Sequence, residues 1–329
     1  MKFFKKTVLL ILVFFIVFAF YGYYVYQTRF GDWEIKKTNT TDIAWSEFIW
    51  SNQVINGKYY DKTAMLIPCK IEGIKNNLTF QFDTGSNLTM LYGNSLNSFF
   101  NQNIALSEKV MGFDFPVNLY FSKSKQFFKD LEISFGDYKI SNKSAFIKEN
   151  YGSKFNPQNI NKGDTIHIGT IGADIFRDKI LIIDYPKQKF AICDEMPEQF
   201  KNSLTDIELD KHGRPILPLL LNSKKHRILF DNGSSLFPII TSTKNIDKFS
   251  QNPILDSIEV SSWGKKHIVD SRMITDTFNF AGKDFFNVKI YENHAGLGID
   301  KNTDAMAGNA LFWNNTLIID FKNKKIAIH

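Results

Sequence analysis

An internal repeat is the feature that most limits what this chain of 329 residues can fold into. The segment IGADIFRDKILIIDYPKQKFAI, residues 171–192, aligns without a gap to AGNALFWNNTLIIDFKNKKIAI, residues 307–328. Upstream of each copy lies a second recurring piece, FQFDTGSNLTML at 80–91 and ILFDNGSSLFPI at 228–239. Two motifs that recur in the same order at a domain-sized period indicate the duplication of one folding unit.

Each copy is predicted to be almost entirely strand. The segments LTFQFD, LEISF, ILIIDY and KFAIC alternate or run apolar, are rich in β-branched and aromatic residues, and end at turn-forming residues. A short helix is expected after the motif glycine in each copy, over residues 173–177 and 309–313. Hydrophobic residues make up 43% of the chain, which is enough to fill a core in each half.

The order of these motifs resembles that of the bilobal, pepsin-like aspartic proteases, and each half resembles a retropepsin subunit. The resemblance covers residues 60–329 and implies an all-β fold, with two pseudo-symmetric pepsin-like β-barrel lobes and a catalytic cleft between them. The lobes are expected at 60–196 and 197–329. The segments that carry the resemblance are Asp83-Thr84-Gly85-Ser86, Asp231-Asn232-Gly233-Ser234, Thr170-Ile171-Gly172 and Met306-Ala307-Gly308.

The two aspartates supply the chemistry that amide hydrolysis needs. Hydrolysis by water requires a base to take a proton from the water and an acid to protonate the carbonyl oxygen. Two carboxyl groups held in hydrogen-bond contact provide both, because like charges that close together share one proton. Asp83 and Asp231, one from each copy, are therefore the predicted catalytic pair of an aspartic endopeptidase, which needs no metal and no cofactor.

The neighbouring residues receive supporting roles from the resemblance. Gly85 and Gly233 let the two loops approach closely, where a Cβ would clash. Thr84 is expected to hydrogen-bond to the opposite loop, and Ser86 and Ser234 to donate to the outer carboxylate oxygens. The substrate would be a peptide or protein segment bound in extended conformation by a monomer.

Two departures from the family pattern leave an alternative open. Asn232 stands where the family has Thr or Ser, and the usual Tyr-Gly pair of a flap hairpin is absent. The best hairpin candidate is 110–127, with Tyr120 as the flap residue. A catalytically silent module that binds extended peptides or an envelope protein is therefore the competing hypothesis.

The N-terminus predicts a membrane anchor. A charge-free run, VLLILVFFIVFAFYGYYVY, occupies residues 8–26 directly after three lysines, and nearly matches the ~20 residues that a helix needs to cross a bilayer. We therefore predict a single-pass anchor in residues 1–30 and a linker at 31–59. The lysines before the apolar run predict that the C-terminal part lies outside the cytoplasm. A cleaved signal peptide, giving a secreted protein, is the alternative. Asn87 and Asn232 both lie in glycosylation acceptor patterns, and a glycan at either residue would block the cleft. This favours a bacterial envelope, either periplasmic or at the cell surface, over a eukaryotic secretory pathway.

The distribution of charge does not indicate a nucleic-acid partner. The net charge of +6 is scattered among acidic residues, and the longest basic cluster, 224–227, is predicted to be a polar hairpin turn, so nucleic-acid binding is not expected. Cys69 and Cys193 are compatible with either one disulfide or two buried thiols.

Overall fold

Strands dominate the part of the chain that the structure describes. The computed structural model describes residues 2–29, 33–41, 43–100, 103–113, 125–161, 164–202, 204–262, 264–295 and 302–329. Within these ranges the strands form three sheets, of nine, six and ten strands. We call them the N-terminal, linking and C-terminal sheets.

The strands are numbered in chain order. The N-terminal sheet contains β1 (Glu34–Lys37), β3 (Ile49–Ile55), β4 (Lys58–Ile71), β5 (Asn77–Phe82), β6 (Met90–Tyr92), β7 (Val110–Phe113), β8 (Lys125–Phe135), β9 (Tyr138–Lys148) and β10 (Thr165–Ile171). The linking sheet contains β2 (Ser46–Glu47), β11 (Ile180–Asp184), β12 (Lys189–Cys193), β13 (Thr205–Asp206), β24 (Thr316–Asp320) and β25 (Lys325–Ile328). The C-terminal sheet contains β14 (Glu208–Leu209), β15 (Pro215–Leu221), β16 (Lys224–Phe230), β17 (Ile239–Ser242), β18 (Asp256–Ser262), β19 (Lys265–Ile274), β20 (Phe278–Phe280), β21 (Lys283–Phe285), β22 (Val288–Asn293) and β23 (Ala305–Ala307).

Helices are few and mostly short. The α-helices are α1 (Lys2–Arg29), α2 (Gly93–Phe100) and α3 (Ile104–Ser107). Single 3-10 turns lie at Pro157–Asn159, Ala173–Phe176, Glu198–Phe200, Ile246–Lys248 and Asn309–Leu311. The second and last of these turns follow the motif glycines, so the short helices predicted there are confirmed.

The duplication is visible in the strand pairing. β5 lies parallel to β10, and β16 lies parallel to β23. β6 and β17 then pair antiparallel with β10 and β23 respectively. In the linking sheet, β11 and β24 pair antiparallel with Ile182 opposite Ile318, which are equivalent residues of the two copies. The two halves are thus related by a local pseudo-twofold axis through this pair.

The C-terminal and linking sheets are open, which corrects the prediction of two β-barrel lobes. The C-terminal sheet runs from β18 at one end of its strand order to β21 at the other, and the linking sheet runs from β13 to β2. Apolar periodicity predicts that a segment is a strand. Closure of a barrel depends on strand number and register stagger, which periodicity does not encode. The mostly-β character was predicted correctly, whereas the predicted lobe boundary at 196/197 stays a prediction.

The N-terminal anchor is also corrected. Among the described residues, none of the helices combines the length and the apolar character that a membrane crossing requires. The single-pass anchor predicted over residues 8–26, and the membrane localisation that depended on it, are therefore not supported.

A continuous apolar core supports both motif-bearing strands. Leu78, Phe80 and Phe82 of β5 are buried, as are Ile228 and Phe230 of β16, and all five belong to one core cluster. Because this core holds the ends of both strands in place, it also fixes where Asp83 and Asp231, the residues directly after them, lie. Both cysteines are buried free thiols rather than a disulfide.

Candidate active site

The two predicted catalytic aspartates lie at equivalent places in two matching loops. Asp83 directly follows β5, and Asp231 directly follows β16. The backbone amide of Asp83 donates to the carbonyl of Ile171 at 3.0 Å, and that of Asp231 donates to Ala307 at 2.9 Å. Each aspartate is therefore held by the downstream motif of its own copy.

The motif glycines lie against these loops. A Cβ on Gly172 would lie 2.9 Å from the carbonyl oxygen of Ser86, and one on Gly308 would lie 2.5 Å from the carbonyl oxygen of Phe237. Both separations are well inside the ~3.5–4.0 Å of normal carbon contacts. Only glycine fits at either position, so the second recurring motif supports the first.

The carboxyl groups of Asp83 and Asp231 lie between the loops, each against the glycine of the opposite copy's Asp-x-Gly motif and near enough to affect the pKa of the other. Asp83 is 6% exposed, and Asp231 is half-buried. Burial raises the pKa of Asp83 well above its ordinary value, and the adjacent charge of Asp231 raises it further. Burial also raises the pKa of Asp231, although hydrogen bonds and the positive charge of Arg214 act in the opposite direction. The environment therefore favours one shared proton on the pair.

Gly85 and Gly233 allow this close approach. A Cβ on Gly85 would lie 2.5 Å from Oδ1 of Asp231, and a Cβ on Gly233 would lie 2.5 Å from Cγ of Asp83. Each glycine thus faces the carboxyl group of the opposite copy. Any side chain at either position would push the two carboxyl groups apart.

Thr84 and Asn232 join the two loops by hydrogen bonds, and the bonds made by the side chain of Thr84 differ from those made by the side chain of Asn232. Oγ1 of Thr84 accepts from the amide of Asn232 at 3.3 Å and donates to the carbonyl of Phe230 at 3.4 Å. In return, Oδ1 of Asn232 accepts from the amide of Thr84 at 2.5 Å. Nδ2 of Asn232 donates to the sulfur of Met65 at 3.9 Å, which is a weak acceptor. The side-chain oxygen of Asn232 thus takes the acceptor role of a hydroxyl, while its side-chain nitrogen points away from the opposite loop.

The two motif serines are placed differently from their predicted role. The backbone amide of Ser86 donates to Oδ1 of Asp83 at 2.8 Å, while its hydroxyl donates to the carbonyl of Leu88 at 2.9 Å. The backbone amide of Ser234 donates to the carbonyl of Asp231 at 3.1 Å, and the residue is half-buried. At Ser86, the backbone amide therefore donates the hydrogen bond to the carboxylate of Asp83 that was predicted for the hydroxyl.

Asn309 supports the second loop and was missed by the sequence reasoning. It is fully buried, and its Nδ2 donates to the carbonyl of Asn232 at 2.6 Å and to Oγ of Ser235 at 2.9 Å. Its Oδ1 accepts from the hydroxyl of Tyr185 at 2.6 Å. The equivalent residue of the first copy is Ala173. A polar residue in place of alanine directly after the motif glycine was the signal in the alignment.

Arg214 is the second residue that the sequence reasoning missed. Its Nη1 donates to the carbonyl of Gly85 at 3.2 Å, so a residue of the second copy contacts the Asp83 loop of the first. Asp210 holds the guanidinium through Oδ2, at 2.7 Å from Nε and 2.6 Å from Nη2. The Asp-Arg spacing is visible in the sequence, but nothing there places the pair beside the aspartates.

The predicted flap is only partly described. β7 pairs antiparallel with the start of β8, so the arms of the hairpin expected at 110–127 are present. Tyr120 lies outside the described residues, and its assignment as the flap residue stays a prediction.

Comparisons with known proteins do not assign the chain. No protein-family model matches it, and no curated protein matches it. Among the described residues, no group of three or more His, Cys, Asp or Glu side chains is placed to hold a metal ion. The resemblance to the pepsin-like proteases therefore stays a hypothesis, supported by the motif order and by the geometry of the two loops.

Proposed function

We propose that this protein is an aspartic endopeptidase in which Asp83 and Asp231 together activate a water molecule. The observation that carries the proposal is the close approach of the two carboxyl groups, which equivalent loops of a duplicated chain present to each other across glycines that leave room for them. A pair of carboxyl groups forced together in this way is costly for folding alone, because like charges repel and burial disfavours both charged forms. Catalysis supplies a reason for keeping both.

The proton of the pair is assigned to Asp83, and Asp231 is assigned as the base. Burial raises the pKa of both aspartates, but the positive charge of Arg214 favours the ionised form of Asp231, which leaves the shared proton on Asp83. Asp231 takes a proton from water as the water oxygen bonds to the substrate carbonyl carbon. Asp83 gives its proton to the carbonyl oxygen, which produces a neutral tetrahedral diol. Transfer of a proton to the amide nitrogen and cleavage of the C–N bond then release an acid and an amine.

A transition-state analogue tests this directly. A peptide with a hydroxyl-bearing carbon in place of the scissile carbonyl should inhibit at least 100-fold more tightly than the parent peptide binds, because it imitates the tetrahedral intermediate. The assay is cleavage of a mixed peptide library, read by mass spectrometry. Asp231→Asn is the inactive control. Turnover that survives in this variant, or that is lost to a metal chelator, would contradict the proposal.

The competing proposal is a silent module that binds extended peptides, and the observation that favours it is the bond from Asn232 to Met65. If this substitution weakens the joint between the loops, the carboxyl groups can be present without the geometry for turnover. This proposal predicts peptide binding by the wild-type protein with no cleavage at any pH. Cleavage that is abolished in Asp231→Asn would exclude it.

A further inference from the structure

A carboxylate that the proposed mechanism does not use contacts the Asp83 loop. Asp174 lies two residues after Gly172, in the 3-10 turn Ala173–Phe176. Its Oδ1 accepts two hydrogen bonds from Thr89, from the backbone amide at 2.9 Å and from the side-chain hydroxyl at 2.7 Å. Thr89 ends the loop that starts at Asp83, because β6 begins at the next residue. Asp174 therefore holds the far end of this loop.

The hydroxyl of Thr89 also binds the downstream motif. It accepts from the backbone amide of Gly172 at 2.9 Å while it donates to the carboxylate. The next amide, that of Ala173, donates to the carbonyl of Ser86 at 2.8 Å. The amide of Ser86 in turn donates to Oδ1 of Asp83 at 2.8 Å. Hydrogen bonds between adjacent residues thus connect the carboxylate in the 3-10 turn to the carboxyl group of Asp83.

The second oxygen of Asp174 binds a residue from outside the repeat. Nε1 of Trp33 donates to Oδ2 of Asp174 at 3.1 Å. Trp33 lies in the segment predicted to be a linker, and its half-buried side chain packs against the main apolar core. It directly precedes β1, which pairs antiparallel with β9 at the edge of the N-terminal sheet. The segment before the repeat therefore supplies the third hydrogen bond to this carboxylate.

The second copy has no carboxylate at this place. In the alignment of the repeat, Ala310 is the counterpart of Asp174, and Phe237 is the counterpart of Thr89. The same 3-10 turn forms there with an alanine, so the turn itself does not require an acidic residue. Desolvation raises the pKa of Asp174, which shows that its charged form is held at a cost. A role at the Asp83 loop supplies a reason for that cost.

We propose that Asp174 is a positioning residue for the carboxyl pair, and that Trp33 completes its hydrogen bonding, so that the segment before the repeat is part of the active unit. The inference rests on the proposed peptidase function. Asp174 does not touch the reacting atoms and acts on Asp83 through Thr89 and Ser86. Displacements near 1 Å at a reacting group cost on the order of a hundredfold in rate, so a loosened loop should lower kcat more than it weakens substrate binding.

Two variants remove different parts of this arrangement. Asp174→Ala reproduces the residue of the second copy and removes all three hydrogen bonds. It should lower kcat by about tenfold or more and change KM by less than about twofold. Asp174→Asn keeps one oxygen that can accept from Thr89, but its amide nitrogen cannot accept from Trp33. This second variant therefore tests the bond to the indole alone.

Trp33→Phe tests the same bond from the other side, because it keeps an aromatic ring and removes the donor. Trp33→Phe and Asp174→Asn should each lower kcat about threefold, and the double variant should lose no more, because both changes remove one shared bond. Trp313→Phe is the matched control. Trp313 also packs half-buried against the main core, and its Nε1 has no hydrogen-bond partner among the described residues. This control should leave kcat unchanged.

Carbon-13 NMR titration of Asp83 and Asp231 gives a second measurement that needs no turnover. In folded Asp174→Ala the apparent pKa values of the pair should shift from those of the wild-type protein. Wild-type cleavage with no kcat loss in the variants, or with losses that vanish after correction for the folded fraction, would overturn this inference and leave the peptidase proposal standing. A shifted titration without cleavage of any peptide would do the reverse. Neither cleavage nor a shifted titration would overturn both.

Discussion

Oδ1 of Asn232 accepts a hydrogen bond of 2.5 Å from the backbone amide of Thr84. Both residues are fully buried, and each belongs to a different copy of the repeat. The bond fixes the position of one aspartate-bearing loop relative to the other. An asparagine at this place is therefore compatible with a rigid joint, although its Nδ2 is directed to Met65 instead of the opposite backbone.

The first prediction concerns Asn232→Thr. A threonine is shorter and leaves the space beside Met65 unfilled, so we expect a loss of about 1 kcal/mol in unfolding free energy. We also expect lower kcat/KM, because errors near 1 Å in the carboxyl geometry cost on the order of a hundredfold in rate. Thermal unfolding and peptide cleavage measure the two effects. Thr84→Ser, which keeps the hydroxyl in the joint, is the control. A clear gain in rate for Asn232→Thr would show that the surroundings have not adapted to asparagine.

The second prediction concerns the catalytic pair. Asp83→Asn and Asp231→Asn should each abolish cleavage, since either change removes the pair that shares a proton. The double variant should be little worse than either single variant, because residues that act as one unit show strongly non-additive effects. The measurement is kcat/KM for all three purified proteins. Additive losses would indicate that the two aspartates act independently.

The third prediction concerns the stability cost of Asp83. Its pKa is raised in the folded protein, so the folded state keeps a proton that the unfolded chain releases. The stability contributed by this group is full below the ordinary aspartate pKa of about 4 and falls as pH rises towards the folded-state value. Asp83→Asn should therefore stabilise the protein, and more so near pH 7 than near pH 4. Melting temperatures across this range test it, with Asp61→Asn, at an exposed aspartate, as the reference. Equal gains at both pH values would contradict the assigned shift.

The fourth prediction concerns the glycine opposite Asp83. Gly233→Ala places a Cβ 2.5 Å from Cγ of Asp83 and should reduce kcat/KM at least 100-fold by separating the carboxyl groups. Gly57→Ala is the matched control. Gly57 has φ +78° and nothing within 4 Å of its added Cβ, so this change strains only the turn between β3 and β4. It should lower stability without lowering activity. Equal activity loss in both variants would mean that the effect of Gly233→Ala is a loss of folding.

The two aspartate-bearing loops are the part of the fold that the sequence predicted best. Their order within the internal repeat places Asp83 and Asp231 at equivalent strand ends, and the apolar strands leading to them fix their depth. Sheet closure was predicted wrongly, because hydrophobic alternation reports which face of a strand is buried and not where a sheet ends. The anchor was inferred from apolar composition, and the described part of α1 does not support it.

The position of individual turns and the contacts between residues far apart in the chain were harder to predict than the repeat. The basic segment 224–227 was expected to be a turn, but it begins β16, and the turn lies at Asn222 and Ser223, which have positive φ values of 50° and 62°. Polar composition alone does not separate a turn from an exposed strand end, whereas Asn tolerates positive φ. Arg214 was missed because its contact with Gly85 joins residues far apart in the chain.

The last prediction concerns Arg214 and the pH dependence of cleavage. The pair is active with one proton, so loss of the first proton sets the acid limb of the profile and loss of the second sets the basic limb. Arg214 lowers the pKa of Asp231, whose ionisation makes the base. Among the described residues, Tyr92, Tyr151 and Lys148 also interact electrostatically with the pair, through Asp83. Arg214→Gln should therefore raise the pKa of Asp231 and move the acid limb of kcat/KM to higher pH.

Two further variants separate charge from structure at this position. Arg214→Lys keeps the positive charge but loses the fork that binds Asp210, so it should restore the acid limb even if stability falls. Arg227→Gln removes an exposed arginine paired with Glu208 and should leave the profile unchanged. Carbon-13 NMR titration of the aspartate carboxyl groups reports the same shift without turnover. If Arg214→Gln lowers kcat/KM equally at every pH and leaves the NMR titration in place, Arg214 positions the Gly85 loop and does not set the protonation of the pair.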